Sequence, residues 1–228
     1  MGLRSYTAGV SVLYLFDIDG TLLHAHRSGR DAFDAVFAEQ HGVTNASEGI
    51  RYGGKTDPGI VEEIFFARLG RSPKNEETTA FLDAYLPRLR AILDAKGVEV
   101  LAGVVETLAY LQPSCRMGVA TGNVKAGAHA KLAAGKLDHW FELGGFGCDS
   151  PTRSELVAKA IARGRERGEV REVIVVGDTI HDIAAARACG AKVVAVATGS
   201  DPADALRDAD VVLTTMSDLP AWHDARFR

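Results

Sequence analysis

The chain has 228 residues, with 26 basic side chains against 30 acidic ones and a net charge of −4. At 46% hydrophobic and 25% charged residues it has an ordinary globular makeup, so disorder, collagen and coiled coil are poor fits. The acidic balance argues against a nucleic-acid footprint. No apolar run reaches the ~18 residues of a membrane span, and residues 1–6 lack the apolar stretch of a secretory signal. Cys115, Cys148 and Cys189 are scattered, with no CxxC. A cytoplasmic protein without disulfides or a zinc ribbon is therefore expected, with no membrane partner. Asp outnumbers Glu by 17 to 13, so the positions of the Asp residues are read first.

In chain order, residues 11–16 form an apolar run that stops at Asp17, as a buried parallel strand does. Residues 25–98 then read as helical throughout. Helices are expected at 29–40, 58–69 and 76–96, with no strand between them. Asp57-Pro58 predicts a helix start with Asp57 as N-cap, and Pro87 is expected to kink or split the third helix. Strands follow at 115–120, 172–176, 191–197 and 210–213. Helices are expected at 124–134, with Asn123 as a possible cap, and at 156–167 and 180–189. Strands alternating with helices imply an α/β fold with a mostly parallel sheet. The helical block, about 75 residues, is near the lower limit for independent stability and suits an insert docked on that core. The boundaries are 1–24 and 99–228 for the core and 25–98 for the insert.

The strongest chemical signal is Asp17-Ile18-Asp19-Gly20-Thr21, directly after the first strand. Residues two apart in extended chain point to one side, so Asp17 and Asp19 share a site at a strand's carboxyl end, where open α/β sheets bind ligands. Two close carboxylates require a proton or a cation between them. A second acidic cluster, Asp178 to Asp182, also follows a strand. Carboxylates without Cys or paired His make a hard-oxygen site suited to Mg²⁺. Thr121-Gly122-Asn123 lies between a strand and a helix, where a hydroxyl and free N–H groups bind phosphate. Arg153, just before the helix at 156–167, is the candidate cation, with Lys159 as second choice.

In order and spacing these motifs resemble the haloacid dehalogenase-like hydrolases, across nearly the whole chain. The branch the chain looks like is the phosphoglycolate-phosphatase-like and phosphoglucomutase-like one. The resemblance implies a Rossmann-like core with an inserted helical cap over residues 25–98. It implies Asp17 as a nucleophile that forms an aspartyl-phosphate and Asp19 as the acid that protonates the leaving oxygen, then the base that activates water. Mg²⁺ would be held by Asp17, the Asp19 carbonyl and Asp178, with Asp182 supporting. Thr121, Gly122, Asn123 and Arg153 would hold the phosphoryl group. The family usually has Lys at the third motif. Arg153 departs from that, and Arg clamps phosphate without being able to donate a proton. Dehalogenases of the family lack the second Asp of the first motif, so Asp19 favours phosphate transfer.

Gly49 to Thr56 matches GxxxxGK[ST], but the polar residues 43–48 before it are no buried strand, so a nucleotide-binding P-loop is not expected. In the resembling family such a stretch lies on a cap loop, making Lys55 and Thr56 candidate substrate contacts. The expected protein is a Mg²⁺-dependent phosphatase acting on a small phosphorylated metabolite, as monomer or dimer. The alternatives are a phosphomutase using the same first steps and a binding module with a dormant site.

Overall fold

The computed structural model describes residues 11–227; the segment at 1–6 read above for a secretory signal lies outside them. The central strand β1 (Val12–Phe16) is buried along its whole length. It pairs in parallel with β4 (Cys115–Ala120) on one side and β6 (Glu172–Gly177) on the other. β5 (Leu143–Gly145) forms one edge, beyond β4, and beyond β6 come β7 (Lys192–Val196) and then β8 (Val211–Leu213), the other edge. The order β5-β4-β1-β6-β7-β8 makes a six-stranded parallel sheet with helices packed on it: the α/β Rossmann-like core expected. The side chains of β1 alternate between two apolar cores. Val12, Tyr14 and Phe16 enter the larger one, while Leu13 and Leu15 enter the other, against α6 (Arg153–Arg165) and α7 (Ile180–Ala188).

Between β1 and β4 a short antiparallel ribbon, β2 (Leu23–His24) with β3 (Glu99–Val100), carries the chain out and back. The regular elements between these two strands are all helices: α1 (Ser28–His41), α2 (Asp57–Leu69) and α3 (Asn75–Lys96). They close on an aromatic cluster in which Phe33 meets Tyr85 at 4.6 Å and Phe37 meets Phe81 at 4.9 Å between ring centroids. Two local expectations are corrected. The N-cap of α2 is Thr56, whose hydroxyl accepts from the Gly59 N–H at 3.2 Å, and Asp57 is already helical. Pro87 neither ends nor splits α3. It lies on the exposed face of the helix, beside the equally exposed Asp83, so the ring meets no packed neighbour there and the proline costs the helix one backbone hydrogen bond.

The remaining α-helices of the described residues are α4 (Val104–Leu111), α5 (Lys125–Ala134) and the closing α8 (Leu219–Phe227). Among the described residues no helix is long and apolar enough to cross a membrane.

Candidate active site

β1, β4 and β6 run in parallel, so their carboxyl ends bring three loops together at the point where the chain order reverses across the sheet. Gly20 turns the first loop away at φ +84°, and a β-carbon there would sit 2.7 Å from Asp178 Oδ2. Only glycine meets both demands.

Asp17, Asp178 and Asp182 are all buried, and each offers a carboxylate oxygen within 4.8 Å of the others. Arg153 Nη2 lies 3.1 Å from Asp17 Oδ1 and 2.5 Å from Asp182 Oδ1. Asp182 spends its oxygens on four donors: Nε and Nη2 of Arg153, and the N–H and hydroxyl of Thr179. It is thus a buried bridge between Arg153 and the capping box of α7, not a solvated first-turn carboxylate. Asp178 accepts from the Thr21 hydroxyl at 3.0 Å and the Ser200 N–H at 2.7 Å. Burial, then the charges of Asp17 and Asp182, push its carboxyl up to about 8. Burial also pushes Asp17 up to about 6, against the pull of Arg153 and with repulsion from Asp182 and Asp19. For Arg153 burial works downward, but Asp182 and Asp17 outweigh it and hold the guanidinium above its ordinary value. One Arg therefore leaves the cluster short of positive charge. The donor set is all oxygen, which suits a hard divalent cation.

Asp19 points away from this cluster. Its Oδ2 accepts from Asn123 Nδ2 at 2.8 Å and from Lys131 Nζ at 2.6 Å. Asn123 does not cap α5, whose N-cap is Val124. Its amide instead ties Thr121 Oγ1, at 2.8 Å, to Asp19, and its oxygen accepts from Lys131 at 2.7 Å. Of the N–H groups in this loop, that of Asn123 goes to Thr121 Oγ1 and that of Val124 to Asp57. The Gly122 N–H is left, with the Thr121 hydroxyl proton beside it. Lys131 was not anticipated from the sequence. Its signal was there: it falls on the stripe of Gly127, Ala128 and Leu132 that α5 buries, and a Lys in such a stripe needs a partner. Lys159, the second choice for the basic role, lies outside the site and donates to the Asp149 carbonyl.

The helical block reaches the site through residues 53–57. The Asp57 N–H donates to the Gly122 carbonyl at 2.8 Å, and a β-carbon on Gly122 would meet the Lys55 carbonyl at 1.9 Å. No strand precedes this loop, so it is no P-loop. Lys55 lines the cavity below, but its ammonium pairs with Glu63. The Thr56 hydroxyl is spent on capping α2, because the turn into that helix leaves the Gly59 N–H needing an acceptor. His181 packs its ring against Gly54 and stands outside the acidic cluster.

Asp57 is buried, and its Oδ2 accepts the Val124 N–H at 2.8 Å. Burial pushes its carboxyl up to about 6 from 3.8, with Lys131 and the Val124 N–H pulling the other way. A raised acid binds its proton more tightly when folded, so its stabilisation is full below pH ~4 and is lost as pH rises through ~6. Asp57→Asn keeps an acceptor and drops the buried charge. At pH 8 it is expected to gain roughly 1–2 kcal/mol of stability. It should also flatten the fall in melting temperature between pH 4 and 6, as followed by circular dichroism.

A cavity of about 460 Å³ lies between the helical block and the strand ends, and Asp17, Asp19, Thr121, Gly122, Lys131 and Arg153 reach it. His24 and His26 stand at its wall.

Paired acids at one strand end, faced by a buried guanidinium, an uncommitted hydroxyl proton and a free N–H, are the equipment of phosphoryl transfer; the chain is a phosphoric monoester hydrolase. It belongs to the haloacid dehalogenase-like hydrolases, whose family model matches residues 14–196. In sequence it is similar to Probable phosphatase IndB of Dickeya dadantii, 29% identical over 214 residues with 91% of each chain covered. It is also similar to the phosphoglycolate phosphatase of Caulobacter vibrioides, 27% identical over 217 residues, covering 90% of this chain and 87% of that one. In structure it is similar to CbbY from Rhodobacter sphaeroides, solved in complex with phosphate. The TM-score is 0.71 at 18% identity, over 92% of this chain and 96% of the other, a likeness of fold.

Proposed function

We propose that this chain is a Mg²⁺-dependent phosphatase that hydrolyses a small phosphorylated metabolite, of phosphoglycolate or sugar-phosphate type, through an aspartyl-phosphate on Asp17. The observation that carries the reading is the placement of Asp17. Its carboxylate is buried at the sheet's central strand end, 3.1 Å from Arg153 and beside Asp178, with cavity in front of it.

The substrate phosphoryl group docks against the Thr121 hydroxyl, the Gly122 N–H and the guanidinium of Arg153. A carboxylate oxygen of Asp17 attacks phosphorus, and the ester oxygen leaves with a proton from Asp19. Asp19 then takes a proton from water, the resulting hydroxide attacks the aspartyl-phosphate, and phosphate and free Asp17 are restored. Asn123 and Lys131 hold Asp19 for this work. Asp17, the Asp19 carbonyl and Asp178 would hold Mg²⁺, with Asp182 supporting. When bound, the ion supplies the positive charge that the acidic cluster lacks and that phosphoryl oxygens seek. Residues 25–98 act as a lid that keeps water from the reacting phosphorus. The name of the Caulobacter vibrioides relative supports phosphoglycolate as one substrate to try.

Chelation by EDTA is expected to lower p-nitrophenyl phosphate hydrolysis by at least about 100-fold, and added Mg²⁺ to restore it. Turnover that survives chelation would remove the metal from the mechanism. A panel of phosphorylated metabolites, read by phosphate release, ranks the substrates.

A further inference from the structure

Two hydroxyls are buried in the cavity wall without a hydrogen-bond partner. Ser28 Oγ and Tyr85 Oη have none, although both side chains are fully buried and both residues line the cavity. Leaving such a group unpaired costs stability, and native proteins seldom do so without a use for it. The two hydroxyls belong to one neighbourhood. Ser28 opens α1, and a β-carbon built on the next residue, Gly29, would lie 3.6 Å from Tyr85 Oη and 3.8 Å from Lys131 Nζ.

The start of α1 is also unserved. Arg27, at the cap position, makes no side-chain bond to it. The Ser28 N–H goes to the Ala25 carbonyl and the Asp31 N–H to the Arg27 carbonyl, while the N–H groups of Gly29 and Arg30 have no partner among the described residues. A helix start carries a partial positive charge and attracts anions. The wall therefore offers two hydroxyls, two N–H groups and the helix dipole, an arrangement that fits a group rich in acceptor oxygens.

Charge selects among such groups. Lys131 already answers Asp19, and its charge also acts on Asp57. A dianionic group would add two more negative charges where the buried cation of this wall, Lys131, faces two acids; Arg30 gives its guanidinium to the Ser47 and Ile50 carbonyls, and Arg27 is exposed to solvent. A monoanion is matched by the neutral donors and the helix start. Distance selects as well. Lys131 bonds Asp19 on one side and borders Gly29 and Tyr85 on the other, so one ammonium group separates this wall from the acid that serves the leaving oxygen.

We propose that Ser28, Tyr85 and the first turn of α1 form the subsite for the non-reacting end of the substrate, and that the group bound there is a single carboxylate. The substrate is then the phosphate monoester of a short hydroxy acid. This rests on the phosphatase reading above and narrows it.

The test compares 2-phosphoglycolate with 2-hydroxyethyl phosphate, which has the same length but carries an alcohol where the acid has its carboxylate. p-Nitrophenyl phosphate serves as the common reference. Wild-type protein is expected to favour the acid over the alcohol by at least about tenfold in kcat/KM. Tyr85→Phe and Ser28→Ala should each shrink that ratio by about five- to tenfold. Tyr85→Phe deletes an oxygen that bonds to nothing, so folding is not at stake. Gly29→Ala gives an independent check, because its new methyl group meets neighbours only at ordinary contact distances yet occupies the subsite; it should shrink the ratio too. A wild-type ratio near one, a preference for the alcohol, or a ratio unmoved in all three variants would overturn the carboxylate subsite while leaving the phosphatase intact. Failure of wild-type protein to hydrolyse p-nitrophenyl phosphate would instead sink the phosphatase reading, and the subsite's role with it.

Discussion

Asp17→Asn is expected to abolish phosphate release, lowering kcat by roughly 10⁴-fold or more, the scale seen when a covalent nucleophile is removed. The physical reason is that an amide oxygen keeps the shape of the carboxylate but carries no charge with which to attack phosphorus. The same change removes one of two acids that share Arg153. The folded protein should therefore survive, because Asp182 still pairs with the guanidinium. This separates loss of chemistry from loss of structure: the melting temperature should move little while turnover vanishes. Beryllofluoride, which mimics an acyl phosphate, should form an adduct on the wild-type chain in the presence of Mg²⁺ and none on the variant, as read by fluorine NMR. Wild-type turnover in Asp17→Asn would refute the aspartyl-phosphate mechanism.

Arg153→Met should reverse that balance, damaging structure and chemistry together. The side chain is only 9% exposed and holds two buried carboxylates. Removing one partner of a buried ionic cluster strands the others, at a cost of about 3–5 kcal/mol. For a chain of this size, that lowers the melting temperature by roughly 6–20 °C. The deficit should be largest at neutral and alkaline pH and shrink toward pH 4, where the stranded acids take up protons. Activity should also fall by about 10²–10³-fold, since one of the groups that face the phosphoryl oxygens is gone. Arg153→Lys keeps the charge but not the planar fork. It cannot reach Asp17 and Asp182 with separate N–H groups in the same plane, so intermediate stability and activity are expected. Full stability of Arg153→Met by thermal melting would show that the cluster is already neutralised by protons.

The parts of this site that lie on strand ends were legible. β1, β4 and β6 each read as a largely apolar run closed by a polar motif, since a strand buried on both faces favours apolar side chains; the polar Arg116 and Glu172 stand at the half-buried starts of β4 and β6. β5 was not legible. Its sequence, Leu143-Gly144-Gly145, has no strand signal of its own. It becomes a strand because β4 needs an edge partner with little bulk: a β-carbon on Gly144 would lie 2.6 Å from Val119. Thr56 took the capping role expected of Asp57 for a similar reason. Either could cap a helix, and the choice fell to Thr56 because the Asp57 carboxylate is drawn to the Val124 N–H.

Some features follow from the residues alone: the α/β class, the helical block at 25–98 as an interruption of the strand–helix alternation, and the acidic motifs after β1 and β6. They are local, each written in a few consecutive residues by periodicity and by the chemistry of strand ends. How the charges are shared required the tertiary structure. Asp19 and Lys131 are 112 positions apart, and Arg153 and Asp182 are 29 apart. Which acid each cation answers depends on how α5, α6 and α7 pack on the sheet. The same packing leaves Ser28 and Tyr85 facing a cavity without partners. No pattern along the chain marks them, because an unmet hydrogen bond exists only once everything around it has been placed.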